Sequence, residues 1–155
     1  MSAFWPPIDS LVPHKPPMVL LDEVVSHDAS GTVCRVRVGP GRPFADESGD
    51  LPIAVTLEYM AQCAAVRTGL RRWSEGKGAV RVGYLIGTRL LRFSRERLAS
   101  GDELDVRAKE VWDDGELASF ACGVHAAGSG ELVAECVLNA VIPADAAQAS
   151  GAKEA

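Results

Sequence analysis

The sequence predicts an α+β fold in which a curved antiparallel sheet wraps one long helix. Residues 52–74 show the apolar spacing of three and four that is typical of a helix packed on one side. Two β-branched segments, 18–28 and 32–38, precede this helix. Nearly everything after residue 80 alternates between apolar and polar residues, and the turn signals at 99–102, 113–115 and 128–130 divide it into strands.

Composition limits the class of protein. The chain has 155 residues, of which 47% are hydrophobic, and a net charge of -5. These values fit one folded domain, predicted over 1–142 with a flexible Ala-rich tail at 143–155, and they disfavour a nucleic-acid-binding or disordered protein. No apolar run approaches the roughly 18 residues of a membrane span, and the N-terminus lacks a secretory pattern. We therefore expect a cytoplasmic location.

The helix has recognisable ends in the sequence. Asp50 is a good N-cap candidate, and Pro52 falls in the first turn, where a missing N–H matters least. Arg71 and Arg72 suit the negative end of the helix dipole. Small residues on the helix, among them Ala61 and Ala65, would let a sheet approach closely.

The strands predicted after the helix are 80–86, 89–93, 103–112, 117–126 and 131–142. In the third of these, Leu104, Val106 and Ala108 alternate with charged residues, which predicts one buried and one solvated face.

The potential metal ligands are scattered. The cysteines have no close pairing of the kind found in zinc or redox sites, so we expect free, buried thiols. The histidines are equally dispersed, and we expect no metal and no cofactor. These residues are Cys34, Cys63, Cys122 and Cys136, with His14, His27 and His125.

Three motifs occur in order along the chain. Residues 11–22 read Leu-Val-Pro-His-Lys-Pro-Pro-Met-Val-Leu-Leu-Asp, and residues 57–62 read Leu-Glu-Tyr-Met-Ala-Gln. The third motif comprises a glycine-centred strand at 85–93 and a Gly-Asp-Glu-Leu turn at 101–104. Together they resemble the hotdog-fold 3-hydroxyacyl-acyl-carrier-protein dehydratases of type II fatty-acid synthesis, in particular the branch found in accessory fatty-acid or polyene pathways.

The resemblance implies a set of site residues. Glu58 corresponds to the catalytic carboxylate of the family, and Gln62, on the same helix face, is expected to contact the substrate. Around them the resemblance implies substrate contacts from Pro52, Ile53 and Gly87. The backbone N–H of Ile53 would donate to the thioester oxygen.

The sequence departs from the family at one functional position. The family has a catalytic histidine fourteen residues before the glutamate, and this chain has Phe44 there, which leaves Phe44 as a substrate contact. His14 is the histidine that lies inside a matched motif, so it is the candidate for the second catalytic residue. The alternative is a structural histidine that fixes the Pro-rich segment before the first strand.

Charge predicts a docking surface. Residues 67–97 contain nine basic and two acidic residues, a local net charge of 9 − 2 = +7. Acyl-carrier proteins are acidic and coenzyme A carries phosphates, so a basic surface would attract either. Ordinary solvated residues are the alternative. The candidate docking residues are Arg71, Arg72, Arg89 and Arg92, with Arg95 and Arg97.

Three functions remain open from the sequence. A dehydratase would eliminate water from a 3-hydroxyacyl thioester. A hotdog thioesterase would hydrolyse the thioester with one helical carboxylate and would need no histidine at position 44. A non-catalytic subunit would support an active partner. Because an exposed sheet edge favours pairing, we expect a homodimer or an assembly with another hotdog subunit.

Overall fold

The computed structural model describes residues 4–77 and 83–141. The predicted tail at 143–155 and the beginning of the strand predicted at 80–86 lie outside these ranges. Within the described residues, no helix combines the length and the apolar character needed to span a membrane.

The chain forms one α-helix and eight strands in the described residues. A short 3-10 turn, Ile8–Ser10, comes first. The helix is α1 (Val55–Ser74). The strands are β1 (Glu23–Asp28), β2 (Gly31–Arg37), β3 (Leu51–Pro52), β4 (Tyr84–Phe93), β5 (Arg97–Leu98), β6 (Glu103–Asp113), β7 (Leu117–Ala126) and β8 (Leu132–Val141).

Six strands form one antiparallel sheet in the order β1-β2-β6-β7-β8-β4, and α1 packs against its inner face. Leu104, Val106 and Ala108 point inward and are buried, as their alternation predicted. Met60 and Val66 on the helix are fully buried in the same core. The predicted fold, a central helix wrapped by an antiparallel sheet, is confirmed.

The helix begins three residues later than predicted. Its N-cap residue is Ala54, with no side-chain cap, and Asp50 instead accepts a hydrogen bond from the Ser100 N–H at 2.9 Å. Pro52 lies in β3, which pairs with β5 in a small second sheet. The prediction was wrong here because a two-residue strand has no periodicity, and its pairing with residues 97–98 is a long-range contact.

Two strand boundaries also differ from the prediction. The first strand begins at Glu23 rather than at residue 18. The segments predicted as 80–86 and 89–93 form one strand, β4, which bulges between Leu85 and Gly87 and again between Arg89 and Arg92. Each bulge inserts an extra residue that interrupts the alternation, which is why a single strand looked like two.

The N-terminal segment, residues 5–22, crosses the helix before β1. A Cβ on Gly69 would lie 2.3 Å from the Leu11 carbonyl oxygen, so this contact requires glycine on the helix. The close approach places Pro13 and His14 beside α1.

The interior contains four thiols and one ion-pair network. All four cysteines are free and buried, as predicted. Arg67 is nearly fully buried and donates to Glu110 of β6, to the Asp28 carbonyl and to the Thr32 hydroxyl. The network joins the middle of the helix to three strands and fixes how α1 lies on the sheet.

Candidate active site

Glu58 lies in the first turn of α1, where the positive end of the helix dipole stabilises a carboxylate. Its side chain is 40% exposed and lines two separate cavities. A residue at the junction of two cavities can contact a ligand that passes from one to the other.

Two side chains contact one oxygen of this carboxylate. The Gln62 amide donates from Nε2 to Oε1 of Glu58 at 3.0 Å, across one helical turn. His14 Nε2 lies 3.3 Å from the same oxygen, and its ring is 31% exposed. No partner is recorded for Oε2 among the described residues, so this oxygen remains available to a ligand.

Gln62 has a different role from the one predicted. It is fully buried, and both ends of its amide are used by the N-terminal segment: Nε2 donates to the Met18 carbonyl at 2.8 Å, and Oε1 accepts from the Leu20 N–H at 2.9 Å. It has no surface left for a substrate. Instead, it connects Glu58 to the N-terminal segment that carries His14.

The first cavity extends along the helix from Glu58 to Arg72, fourteen residues or about 21 Å at the ordinary helical rise. It has a volume of about 190 Å³. Its floor is a row of small helical residues, and its other wall is apolar strand residues. We call it the helix groove; its lining includes Ala61, Ala65, Thr68, Leu85, Phe120, Leu138 and Ala140.

The second cavity opens on the other side of Glu58. It has a volume of about 360 Å³ and is lined by Met18, Phe44, Pro52 and Val55. Phe44 is 58% exposed and has a φ of 70°, in the left-handed region that side chains rarely adopt. The residue at the position of the family histidine therefore forms part of an apolar surface next to Glu58, and we call this cavity the Phe44 mouth.

Two predicted substrate contacts fit the structure less well. The Ile53 N–H already donates to the Glu96 carbonyl at 3.2 Å, because the β3–β5 pairing brings these residues together. Gly87 lines neither the helix groove nor the Phe44 mouth. The bulge beside it makes Leu85 the residue of β4 that reaches the groove.

The predicted basic surface is largely neutralised by acidic residues from elsewhere in the chain. Arg71 contacts Glu110 and Asp113, and its role as a docking residue stays a prediction. Arg95 contacts Asp102 and Glu131, and Arg97 contacts Asp46. The net charge of residues 67–97 did not reveal these partners, because most of them lie far from the arginines along the chain.

The remaining arginines differ in position. Arg72 is half-buried and lines the helix groove at the end opposite Glu58. Arg89 and Arg92 are exposed on β4, and no ion pair is recorded for either within the described ranges 4–77 and 83–141. The predicted docking set is thus divided between a cavity wall and a sheet edge.

An apolar cavity beside Glu58 was expected from the family resemblance, but the residues that line the helix groove were not predicted from sequence. Its signal was present as Ala61 and Ala65 on one helix face, but these small residues were interpreted as a surface for close sheet packing. Ala61 and Ala65 are only half-buried, and the space above them remains open. In the part of the chain that is described, no cluster of three or more His, Cys, Asp or Glu side chains could bind a metal ion.

Comparison with known proteins agrees with this fold. Over 98% of its length, the chain matches all of a chain in the dehydratase heterocomplex ApeI:P from Xenorhabdus doucetiae, with 26% identity and a TM-score of 0.85. Zebra fish thioesterase superfamily member 2 has the same fold at 14% identity, with a TM-score of 0.64 over 88% of this chain and 93% of that one. A hypothetical thioesterase from Streptococcus pneumoniae TIGR4, solved with coenzyme A, has the fold at 11% identity, with a TM-score of 0.59 over 78% and 84%.

A family model covers the residues of the site described above. The family model of ApeP-like proteins, described as ApeP dehydratase, matches residues 6–151 and so includes His14, Phe44, Glu58 and both cavities. The chain belongs to the ApeP-like dehydratase family, and its function is dehydratase-like.

Proposed function

We propose that this protein eliminates water from a 3-hydroxyacyl thioester to give a 2-enoyl thioester, with Glu58 and His14 as the catalytic residues. The observation that carries the proposal is the pair itself. A helical carboxylate lies 3.3 Å from a histidine, between two cavities, in a chain of a dehydratase family.

The elimination requires two proton transfers. The proton on the carbon next to the thioester carbonyl leaves with its electrons forming the new double bond, and the 3-hydroxyl departs as water after gaining a proton. No net proton is consumed. Glu58 and His14 share these transfers: one acts as the base that accepts the carbon proton, and the other acts as the acid that protonates the hydroxyl. The Oε2 atom of Glu58 faces the reacting carbons, since Oε1 already accepts from Gln62.

Substrate placement follows from the character of the two cavities. The helix groove is lined mainly by Ala, Leu and Phe side chains, so it suits the apolar acyl chain. The Phe44 mouth has a larger volume than the helix groove and is more open, so it suits the part of the carrier that is attached to the thioester. In this arrangement the reacting carbons lie beside Glu58.

The thioester oxygen needs a hydrogen-bond donor as charge develops on it. The Ile53 N–H stands before the first turn of α1, close to the Phe44 mouth. For it to act as this donor it would exchange the Glu96 carbonyl for the substrate. That exchange requires only a small opening of the two-residue β3–β5 pairing.

The substrate carrier and the assembly are also part of the proposal. We infer an acyl-carrier protein or coenzyme A as the carrier, in an accessory fatty-acid or polyene pathway of the cytoplasm. The related Xenorhabdus doucetiae chain comes from a heterocomplex, which supports pairing with another hotdog subunit over a solitary domain. A homodimer is the simpler alternative.

Thioester hydrolysis is the second candidate. Glu58 is 40% exposed and could activate a water, and Phe44 in place of the family histidine removes one of the usual requirements of dehydration. The thioesterases cited above support the fold alone. A third outcome is a subunit that binds acyl chains without turning them over.

One assay separates the three functions. The protein, alone and with a co-purified partner, is incubated with a 3-hydroxyacyl thioester while enoyl formation and free thiol are followed together. Enoyl product without thiol supports dehydration, and thiol supports hydrolysis. Neither product from the assembled protein supports the binding subunit. Glu58→Gln should abolish turnover, whereas Glu116→Gln, at an exposed position in the β6–β7 turn, should leave it unchanged.

A further inference from the structure

The loop between β2 and β3 has three residues in the left-handed region, and one of them is not a glycine. Gly41 and Gly49 have φ values of 82° and 87°, which glycine adopts without penalty. Phe44 has a φ of 70°, a conformation that is unfavourable for a residue with a side chain. Its ring is 58% exposed, so burial in the core does not compensate for this conformation. A strained residue of this kind is a candidate for a function.

A turn holds Phe44 in this conformation. The Ala45 N–H donates to the Arg42 carbonyl at 3.0 Å, so that Pro43 and Phe44 are the two central residues of the turn. Proline as the first central residue and a positive φ at the second are features of a type II turn, in which the second central residue is normally glycine or asparagine. The turn accounts for the backbone conformation, but it gives no reason for a phenyl ring.

Arg42 connects this turn to the segment beside the proposed catalytic pair. Its guanidinium donates to Oδ1 of Asp22 at 2.7 Å and to the Leu20 carbonyl at 2.8 Å. The N–H of the same Leu20 donates to Gln62, which in turn donates to Glu58. The turn is therefore fixed relative to the helix, and its ring keeps its place at the cavity that Glu58 lines.

The Phe44 mouth offers water few places to bind. Among the described residues that line it, Glu58 alone is charged, and the others have no side-chain N–H or O–H. These other residues are Met18, Phe44, Pro52 and Val55. A phenyl ring has neither a lone pair nor an N–H with which to hold a water molecule, whereas a histidine at the same position has both. The chain therefore has an apolar blocking group where the related dehydratases have a group that can bind water.

The two candidate reactions differ in their need for water at this place. In hydrolysis, a water oxygen bonds to the thioester carbonyl carbon, the carbon–sulfur bond breaks, and the proton taken from the water ends on the sulfur of the free thiol. Elimination breaks bonds at the second and third carbons of the acyl chain and consumes no water. Both reactions can use Glu58 as the base. The access of water to the carbonyl carbon therefore decides which product forms.

From these observations we infer that Phe44 is a specificity-determining residue that favours elimination over hydrolysis. When a thioester is bound in the Phe44 mouth, the ring occupies the space from which water would attack the carbonyl carbon, and Glu58 is left with elimination as its reaction. This inference rests on the proposed function and on the substrate placement given there. It also accounts for the exposure of the ring in the free chain, because the ring is covered once the carrier arm fills the mouth.

The test is the ratio of the two products in the variant Phe44→Gly. Glycine suits the left-handed conformation, so the protein should keep its unfolding midpoint while the mouth opens to water. The protein, with any co-purified partner, is incubated with the pantetheine thioester of 3-hydroxydecanoic acid, and free thiol and enoyl product are measured together. The ratio of thiol to enoyl product should rise about tenfold or more over that of the wild type, because water is no longer excluded.

Further variants identify the cause. Phe44→Leu keeps a large apolar side chain and should keep the ratio within about twofold of the wild type. Phe44→Asn tolerates the same backbone conformation but is smaller and binds water, so it should release thiol as Phe44→Gly does. Adding Glu58→Gln to Phe44→Gly should remove the extra thiol, because the hydrolysis uses this carboxylate. Phe4→Gly makes the same change at an exposed residue that lines neither cavity, and it should leave the ratio unchanged.

The outcomes distinguish this inference from the proposed function. If the wild type forms enoyl product and Phe44→Gly leaves the ratio unchanged, or lowers both products equally, the role of Phe44 is overturned and the proposed reaction stands. The same conclusion follows if Phe44→Leu releases as much thiol as Phe44→Gly. If the wild type itself forms no enoyl product, the proposed reaction fails, and this role of Phe44 fails with it.

Discussion

His14 Nε2 lies 3.3 Å from Glu58 Oε1, and the two residues belong to segments that only the tertiary fold brings together. Gln62 makes the contact possible, because its amide bonds to Glu58 and to the Met18 and Leu20 backbone of the N-terminal segment. One buried side chain therefore connects Glu58 to the segment that carries His14.

The first prediction concerns the role of His14. If it transfers protons, His14→Ala should lower kcat on a 3-hydroxyacyl thioester by roughly 10²-fold or more. His14→Gln should be equally inactive, since it retains an N–H for Glu58 but carries no titratable proton. Recovery of activity in the glutamine variant would indicate a positioning residue instead. His125→Gln, on the outer face of the sheet, serves as the control.

The second prediction concerns Gln62. Replacing it with leucine leaves the buried Leu20 N–H and Met18 carbonyl without partners, which should lower the free energy of unfolding by roughly 2–5 kcal/mol. Activity should fall too, because Glu58 loses a donor. Urea denaturation followed by circular dichroism measures the first effect. Ser74→Ala, at the exposed end of the helix, should change stability by less than about 0.5 kcal/mol.

The third prediction tests the helix groove. Ala65→Leu adds three carbons to the floor of the cavity, so kcat/KM for long acyl chains should fall about tenfold or more relative to short ones. Steady-state kinetics on a chain-length series gives the comparison. Ala121→Leu makes the same change at an exposed position of β7 outside the groove and should leave the chain-length profile intact. An equal loss for all chain lengths would mean that the acyl chain lies elsewhere.

The fourth prediction is a pH dependence of stability. Burial would raise the pKa of Glu110, but the hydrogen bond from Arg67 and the charges of Arg67 and Arg71 outweigh it, and the pKa is lowered. A lowered carboxyl pKa stabilises the folded state at pH above the ordinary value of about 4.3. This contribution declines as the pH falls below that value and is lost once the pH passes below the pKa of the folded state.

Comparison with a variant isolates this effect. Glu110→Gln should cost about 1–3 kcal/mol of unfolding free energy near pH 7, and the difference from wild type should vanish in strong acid. Glu103 lies on β6 like Glu110, and its exposed pair is with Arg37 of β2. Glu103→Gln should therefore cost less than about 1 kcal/mol at any pH. A difference for Glu110→Gln that stays constant with pH would contradict the assignment.

The sequence alone predicted the elements that depend on local patterns. The spacing in α1 and the alternation of Leu104, Val106 and Ala108 are set by neighbours a few residues apart, and both were correct. The order of the motifs indicated the family and made Glu58 the candidate catalytic carboxylate. The errors fell at Asp50 and Pro52 and at the bulges of β4, where pairing with distant strands overrides local preference.

The tertiary structure decided what surrounds Glu58 and which charges remain exposed. Arg71, Arg95 and Arg97 meet carboxylates from other segments, so part of the local excess of positive charge in the sequence is neutralised in the fold. Likewise, the motif around residue 14 made His14 a candidate, but only the fold shows that its ring reaches the helix. Periodicity is a property of adjacent residues, whereas a site or a neutralised charge depends on contacts that exist only after the helix has packed on the sheet.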